Sequence, residues 1–286
     1  MSTSVFEPLV GSVERLSSLD GVAAPIGKAA RRLATGSTGG VLSGTWLGHA
    51  LHPALTDLVV GSFTSATLLD LLGGDPASAN RLVEVGLLAY APTAITGVTD
   101  WAASEATDPA VRRTGLIHAA VNAVGAGLYG ASRRQRIQAR RGRATLLSLA
   151  GLGVMGAGAY LGGHLSFARG VGVAQTAFDP GNEEWTNVGP AEAATAGQPH
   201  RVLAGDTPVL VVRHDHGIHA IHDRCSHRGC SLAEGELDGD TVVCGCHGSR
   251  FALSDGAIIN GPATAPQPAF EVCEQEGSLE VRRKTG

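Results

Sequence analysis

Two short stretches concentrate soft ligands: "CSHRGC" (Cys225 to Cys230) and "CGCHGS" (Cys244 to Ser249). The first offers Cys225 and His227, the second Cys244 and His247, so each box brings one thiol and one imidazole. Two chemistries use that set. A binuclear iron-sulfur cluster can be held asymmetrically, thiolates on one iron and imidazoles on the other. A Cys2His2 zinc site uses the same four ligands in tetrahedral geometry. Zinc fingers usually pair Cys with Cys and His with His, whereas here each box mixes them, which favours the cluster.

Holding both boxes requires two loops side by side, and the surrounding sequence is written for that. From about residue 185 onward, short β-rich runs alternate with turn signals: "TPVLVVRH", "IHAIHD", "TVVC", "FEVCEQ" and "LEVRR". They predict an all-β domain over 185–286 with a strand hairpin between the boxes. His214, His216, His219 and His222 decorate the preceding hairpin and read as solvated hairpin residues, with a second metal site as the alternative. Cys273, in "FEVCEQ", reads as an incidental thiol.

The double box resembles the Rieske iron-sulfur family, as does "NGPATAP" (Asn260 to Pro266), with Gly261 and Pro262, which looks like that family's proline loop over the cluster. The resemblance implies a [2Fe-2S] cluster on Cys225, His227, Cys244 and His247. It also implies a disulfide between Cys230 and Cys246, as in the Rieske subunits of cytochrome bc complexes, and hence an oxidising compartment. In those subunits a serine and a tyrosine donate hydrogen bonds to cluster sulfurs. Ser249 is retained, but Phe251 stands at the tyrosine position, which implies a lower potential within the family's range. A complete Rieske oxygenase is not expected, because only 39 residues follow His247 and none is histidine.

The first 170 residues have a different chemistry, rich in Ala, Gly, Leu and Val. Four weakly charged segments, 55–74, 82–101, 115–132 and 145–163, each approach the roughly 20 residues that cross a bilayer core. Their glycines suit close helix packing in lipid. The expectation is an all-α four-helix transmembrane bundle over 47–168, preceded by a polar to amphipathic segment, 1–46, and followed by a linker, 169–184. No cleavable signal peptide is expected. Leu16, Leu19, Val22, Ile26 and Leu33, with Lys28, Arg31 and Arg32 alongside, suit a helix lying on the membrane surface.

"GHALHP" (Gly48 to Pro53), "TGVTDW", His118 and "GGHL" resemble an uncharacterised bacterial family of four-helix membrane domains marked by a Gly-His-x-x-His-Pro box. In an up-down bundle His49, His52, His118 and His164 fall at one side of the membrane. Imidazoles at membrane depth suit a metal or a b-type haem.

The Arg-rich loop 132–144 favours the cytoplasm, although Lys28, Arg31, Arg32, Arg112 and Arg113 on the other side nearly balance it, and Arg140-Arg141 looks like a twin-arginine export signal. With the implied disulfide, these place the protein in a bacterial cytoplasmic membrane with the cluster outside. A net charge of -4 and 4% aromatic residues exclude a nucleic-acid footprint. The function expected is a membrane-anchored one-electron carrier, exchanging electrons with a redox partner protein, a quinone or a haem in the membrane domain. The rivals are a ferredoxin-like partner of a separate oxygenase or reductase, with the helices as an inert anchor, and a membrane redox sensor.

Overall fold

The computed structural model describes residues 6–34, 36–214 and 217–285, so His216 lies outside the described residues. The chain divides into two units: a helical one of residues 1–33 and 50–171, and a β-rich one of 34–49 and 172–286.

The helical unit opens with α1 (Glu7–Arg15) and α2 (Asp20–Leu33). A short helix, α3 (Gly36–Ser43), belongs with the β unit. Four long helices follow: α4 (Leu51–Leu71), α5 (Pro76–Ala102), α6 (Pro109–Ile137) and α7 (Arg141–Gly163). Two of their starts are written in the same dipeptide. Asp75 and Asp108 stand before Pro76 and Pro109, and each carboxylate accepts backbone N–H groups of the first turn, from Ser78 at 2.8 Å and from Ala110 at 2.8 Å. Proline costs nothing there, because its missing N–H would have no helical partner. Gly73, at φ 75°, ends α4 in the left-handed conformation that favours glycine.

The expected four spans become four long helices, of which three are long and apolar enough to cross a membrane: Leu51–Leu71, Pro76–Ala102 and Arg141–Ala168. The third expected segment, in α6, falls short because His118 and Asn122 interrupt its apolar run. The helix count differs too: seven α-helices are present among the described residues, counting α1 to α3. α4 packs on α5, α6 on α7, and the two pairs close on each other. Between them Phe63 stacks on Tyr129 at 3.9 Å, and Arg136 Nη1 donates to Asp70 Oδ1 at 2.9 Å.

α1 and α2 are tied to the bundle by charge. Arg113 donates to Asp20 at 2.6 and 3.0 Å and to the Glu14 carbonyl at 2.6 Å. Arg31 and Arg112 both reach Glu105, whose burial demands such partners. α2 turns Ala23, Gly27 and Ala30 inward, leaving Val22, Ile26 and Leu33 exposed, and Leu16, which caps α1, is exposed too.

Among the described residues the β unit has ten strands: β1 (Thr186–Pro190), β2 (His200–Ala204), β3 (Thr207–His214), β4 (Gly217–His222), β5 (Glu236–Asp238), β6 (Thr241–Val243), β7 (Arg250–Ala252), β8 (Ile258–Asn260), β9 (Ala269–Gln275) and β10 (Ser278–Arg283). They form one antiparallel sheet in the order β1-β10-β9-β4-β3-β2 and a second in the order β5-β6-β7-β8. β3 serves two cores because successive side chains alternate faces. Val209 and Val211 pack with Phe270, while Leu210 and Val212 pack with Phe251 and the two buried thiols.

Candidate metal centre

Both boxes fold as the same closed loop, one between β4 and β5, the other between β6 and β7. In the first, Cys225 N–H donates to the Cys230 carbonyl at 2.8 Å and Gly229 N–H to the Cys225 carbonyl at 2.8 Å. In the second, Cys244 N–H donates to the Ser249 carbonyl at 2.8 Å and Gly248 N–H to the Cys244 carbonyl at 2.9 Å. The glycine four residues after each leading cysteine sits at φ 80° or 77°, where a side chain would be strained. That geometry explains why each box reads Cys, three residues, Gly. Asp223 braces the first loop from below, accepting Ala233 N–H at 2.7 Å and the Ser231 hydroxyl at 2.8 Å.

The disulfide Cys230–Cys246 joins the loops, with its Cα atoms 6.5 Å apart. Cys244 Sγ lies within 4.8 Å of both disulfide sulfurs, so these three sulfurs cannot themselves be the metal set: two are already bonded to each other. Cys225 and Cys244 are buried with their thiols hydrogen-bonded together. The rings of His227 and His247 meet edge to face at 4.9 Å. The four residues singled out by spacing therefore gather at one tip, thiols inside and half-buried imidazoles outside.

The polar groups at this tip suit a bound metal cluster. His227 Nδ1 is buried without a hydrogen-bond partner, which a ligand atom would need to be. Burial, followed by His247 and Arg228 nearby, pushes His227 down to about 3, so it stays neutral with a lone pair to give. The hydrogen bond from Cys225 is the main cause that pushes the Cys244 thiol down to about 6, against burial and with help from the N–H groups of Cys246 and His247. The same pairing raises Cys225. The arrangement favours one thiolate before any metal arrives.

Ser249 is buried, and its oxygen accepts Ala263 N–H at 3.0 Å, which ties the second box to the loop after β8 and leaves the hydroxyl proton to donate. Gly261 and Pro262 begin that loop across a cis peptide bond. Phe251 is wholly buried against Leu210, Cys225 and Cys244.

Sequence reasoning missed one neighbour of this loop. In segment 34–49, Thr45 Oγ1 donates to the Ala263 carbonyl at 3.3 Å, and Gly40 comes so close to Asn260 that a Cβ would lie 3.2 Å from its Oδ1. The signal was the run "GSTGGVLSG", whose glycines permit close backbone approach.

The membrane-side histidines separate into groups. His52 and His118 are electrostatic neighbours inside the helical unit. His164 turns instead to Glu14, with Nε2 2.8 Å from Oε1, and His49 lies in the segment that belongs with the β unit. Among the hairpin residues, His214 lies 3.2 Å from Asp240, and His222 is buried, accepting Arg224 N–H at 3.0 Å and directing Nε2 to Asp179 at 3.3 Å.

A profile of the Rieske [2Fe-2S] domain matches residues 184–271. Over 101 residues the chain is 37% identical to Ferredoxin CarAc of Metapseudomonas resinovorans, spanning 35% of this chain and 94% of that one. The chain belongs to the Rieske [2Fe-2S] family. The Rieske domain is also 31% identical over 98 residues to the anthranilate 1,2-dioxygenase ferredoxin subunit of Burkholderia cepacia, covering 34% of this chain and 91% of the relative. Among solved structures it matches one of a complex of reduced oxygenase and oxidized ferredoxin in carbazole 1,9a-dioxygenase, at 35% identity over 37% of this chain and 100% of that one, with a TM-score of 0.34. Residues 48–175 match a family described as a predicted membrane protein, DUF2231. The protein is thus a Rieske electron carrier fused to a membrane-protein domain.

Burial holds His222 below its ordinary range, although Asp179 opposes this. The unfolded chain therefore takes up a proton first as pH falls below about 6.5, so stability present above that pH is lost toward the folded value. Replacing His222 with Gln should remove up to about 1.4 kcal/mol per pH unit of that loss as pH falls below about 6.5. Denaturation midpoints of the two proteins at pH 7.5 and 5.5, followed by visible circular dichroism, measure it. Equal slopes would place the acid sensitivity elsewhere.

Proposed function

We propose that the protein is a membrane-tethered Rieske ferredoxin, passing single electrons through a [2Fe-2S] cluster on Cys225, His227, Cys244 and His247 to a redox partner protein. The observation that carries the reading is the convergence of these four side chains at one tip, with the imidazoles at the surface. The cluster would supply a one-electron couple. The protein's own part is to seclude the thiolates, to aim backbone N–H groups at them and to present an imidazole edge to the partner. The dioxygenase ferredoxin relatives support a partner of the oxygenase or reductase class.

The tip lies outside the cytoplasm in this reading. The Cys230–Cys246 disulfide and the Arg140-Arg141 pair support that sidedness. The exposed Leu16, Val22, Ile26 and Leu33 of the N-terminal region rest on the bilayer surface. A second reading, in which the membrane domain itself exchanges electrons through a haem or a quinone, is favoured by the neighbouring imidazoles of His52 and His118.

Potentiometric titration of the purified protein followed by EPR tests the carrier. A reduced signal with low average g and a one-electron midpoint is expected, and one tightly bound zinc with no iron would overturn it. Phe251→Tyr adds a donor beside the thiols, and a hydrogen bond to cluster sulfur favours the more negative reduced state. A net bond of about 1 kcal/mol would raise the midpoint by about 40 mV. An unchanged midpoint would show the side chain pointing away from the cluster.

A further inference from the structure

We propose that His52 and His118, matched positions of an internally duplicated helical unit, form a two-imidazole site for a low-charge redox metal, the iron of a haem or Cu(I). The inference deepens the second reading of the membrane domain and is independent of the Rieske ligand set.

The duplication shows in the contacts. Residues 66 apart in α4 and α6 meet one another: Tyr129 stacks on Phe63 and donates to its carbonyl at 3.2 Å, and Arg136 donates to Asp70 at 2.9 Å. Positions 65 apart in α5 and α7 repeat the packing. A Cβ on Gly86 would lie 2.5 Å from the Phe63 ring, and one on Gly151 would lie 3.0 Å from the Tyr129 ring. Two helical hairpins, α4–α5 and α6–α7, are therefore built alike and face each other. A residue whose copy performs the same local role is placed by the fold in both halves.

His52 and His118 are such copies, 66 apart, and three features around them are repeated. His52 Nδ1 lies 2.9 Å from the Thr93 carbonyl, and His118 Nδ1 lies 2.8 Å from the Gly158 carbonyl, two positions 65 apart. Four residues beyond each carbonyl a glycine makes room for the ring: a Cβ on Gly97 would sit 2.6 Å from His52 Cε1, and one on Gly162 would sit 2.9 Å from His118 Cε1. Thr56 returns a hydroxyl to the His52 carbonyl at 2.9 Å, as Asn122 returns its amide to the His118 carbonyl at 2.9 Å.

These bonds decide the tautomer. A carbonyl only accepts, so Nδ1 carries the proton in both rings and Nε2 keeps its lone pair, the arrangement that orients a histidine for metal. The Asn122 amide nitrogen lies 3.3 Å from both nitrogens of His118, which puts it over the ring face and not on the Nε2 lone pair. Two neutral ligands in an apolar bundle leave a metal's charge uncompensated. That favours haem iron, whose porphyrin brings its own negative charge, or Cu(I), over a bare divalent ion.

The test uses the full-length protein in detergent, expressed with haem precursor and copper in the medium and then titrated with haemin and with Cu(I). One equivalent of haem, read by a Soret band and the pyridine haemochrome, or one of copper, read by metal analysis, is expected per chain. His52→Gln and His118→Gln can keep the bond to the carbonyl while losing the ligand, and each should weaken uptake at least tenfold. His164→Gln should leave uptake unchanged. The Rieske EPR signal, retained in all three variants, separates failure of this site from failure of the carrier and reports an intact fold. Wild-type protein that takes up neither haemin nor Cu(I), that holds only zinc, or that binds undiminished in both glutamine variants would overturn the proposal.

Discussion

Cys244→Ser should leave the tip without iron: from two per chain to none, with the visible absorption and the EPR signal of the reduced protein gone. Cys244 is the thiol that the site prepares best. It is buried, it receives the Cys225 hydrogen bond, and the N–H groups of Cys246 and His247 converge on it. A serine hydroxyl is a harder donor that ionises far less readily, so the same N–H groups would face a neutral oxygen and one iron would lose its anionic anchor. The loss extends to folding, because the free energy of holding a cluster is realised only in the folded loops. Cys273→Ser is the matched control. Cys273 is a free thiol on β9, half-buried, and its loss should leave iron content and spectra unchanged. Iron retained in Cys244→Ser, or lost in Cys273→Ser, would mean that the ligand set has been misassigned.

The proposed ligands and their convergence were legible in the sequence because each box is a local object. Spacing within six residues, with a glycine at a fixed offset, constrains a loop whatever surrounds it. Strands β3, β4, β6, β9 and β10 were legible for a related reason, since β-branched runs bounded by turn residues describe a pleated surface. The long helices followed from apolar length, and two of their starts are marked by Asp-Pro.

What the sequence hid was long-range. Depth arguments put His52, His118 and His164 at one end of the bundle, but depth says nothing about direction around a helix. His164 turned to Glu14, which lies 150 residues earlier and on a helix that the pattern did not connect to it. Segment 34–49 was hidden for the opposite reason. Its contacts with the loop at Gly261 are made by glycine backbone and short hydroxyls, which carry no hydrophobic period. The likeness of the two helical hairpins is faint in the sequence because few side chains are identical between them; the copies share packing roles, as Phe63 and Tyr129 do.

Removing the disulfide with Cys230→Ser and Cys246→Ser together should lower stability by about 3 kcal/mol and shorten the lifetime of the cluster, while leaving the ligands in place. The bridge joins residues 16 apart, and in the chain-entropy model closing a loop of that size removes about 3 kcal/mol of freedom from the unfolded chain. It also acts on the folded state. The two boxes are separate loops on different strands, each closed by its own hydrogen bonds, and the disulfide is their covalent link. Without it, each loop can carry its thiol and imidazole apart from the other, and a cluster bound across both is released by that motion. Double serine substitution avoids leaving one unpaired thiol beside Cys244, which lies within 4.8 Å of both bridging sulfurs and would exchange with a free one. The double variant should assemble the cluster with an unchanged low-g EPR signal, then lose its absorption several-fold faster in mild denaturant. The same acceleration should appear when wild-type protein is treated with a strong reductant for disulfides and the freed thiols are alkylated. Equal lifetimes in all three samples would mean that the paired cysteines record the compartment in which the protein folds and do not hold the cluster loops together.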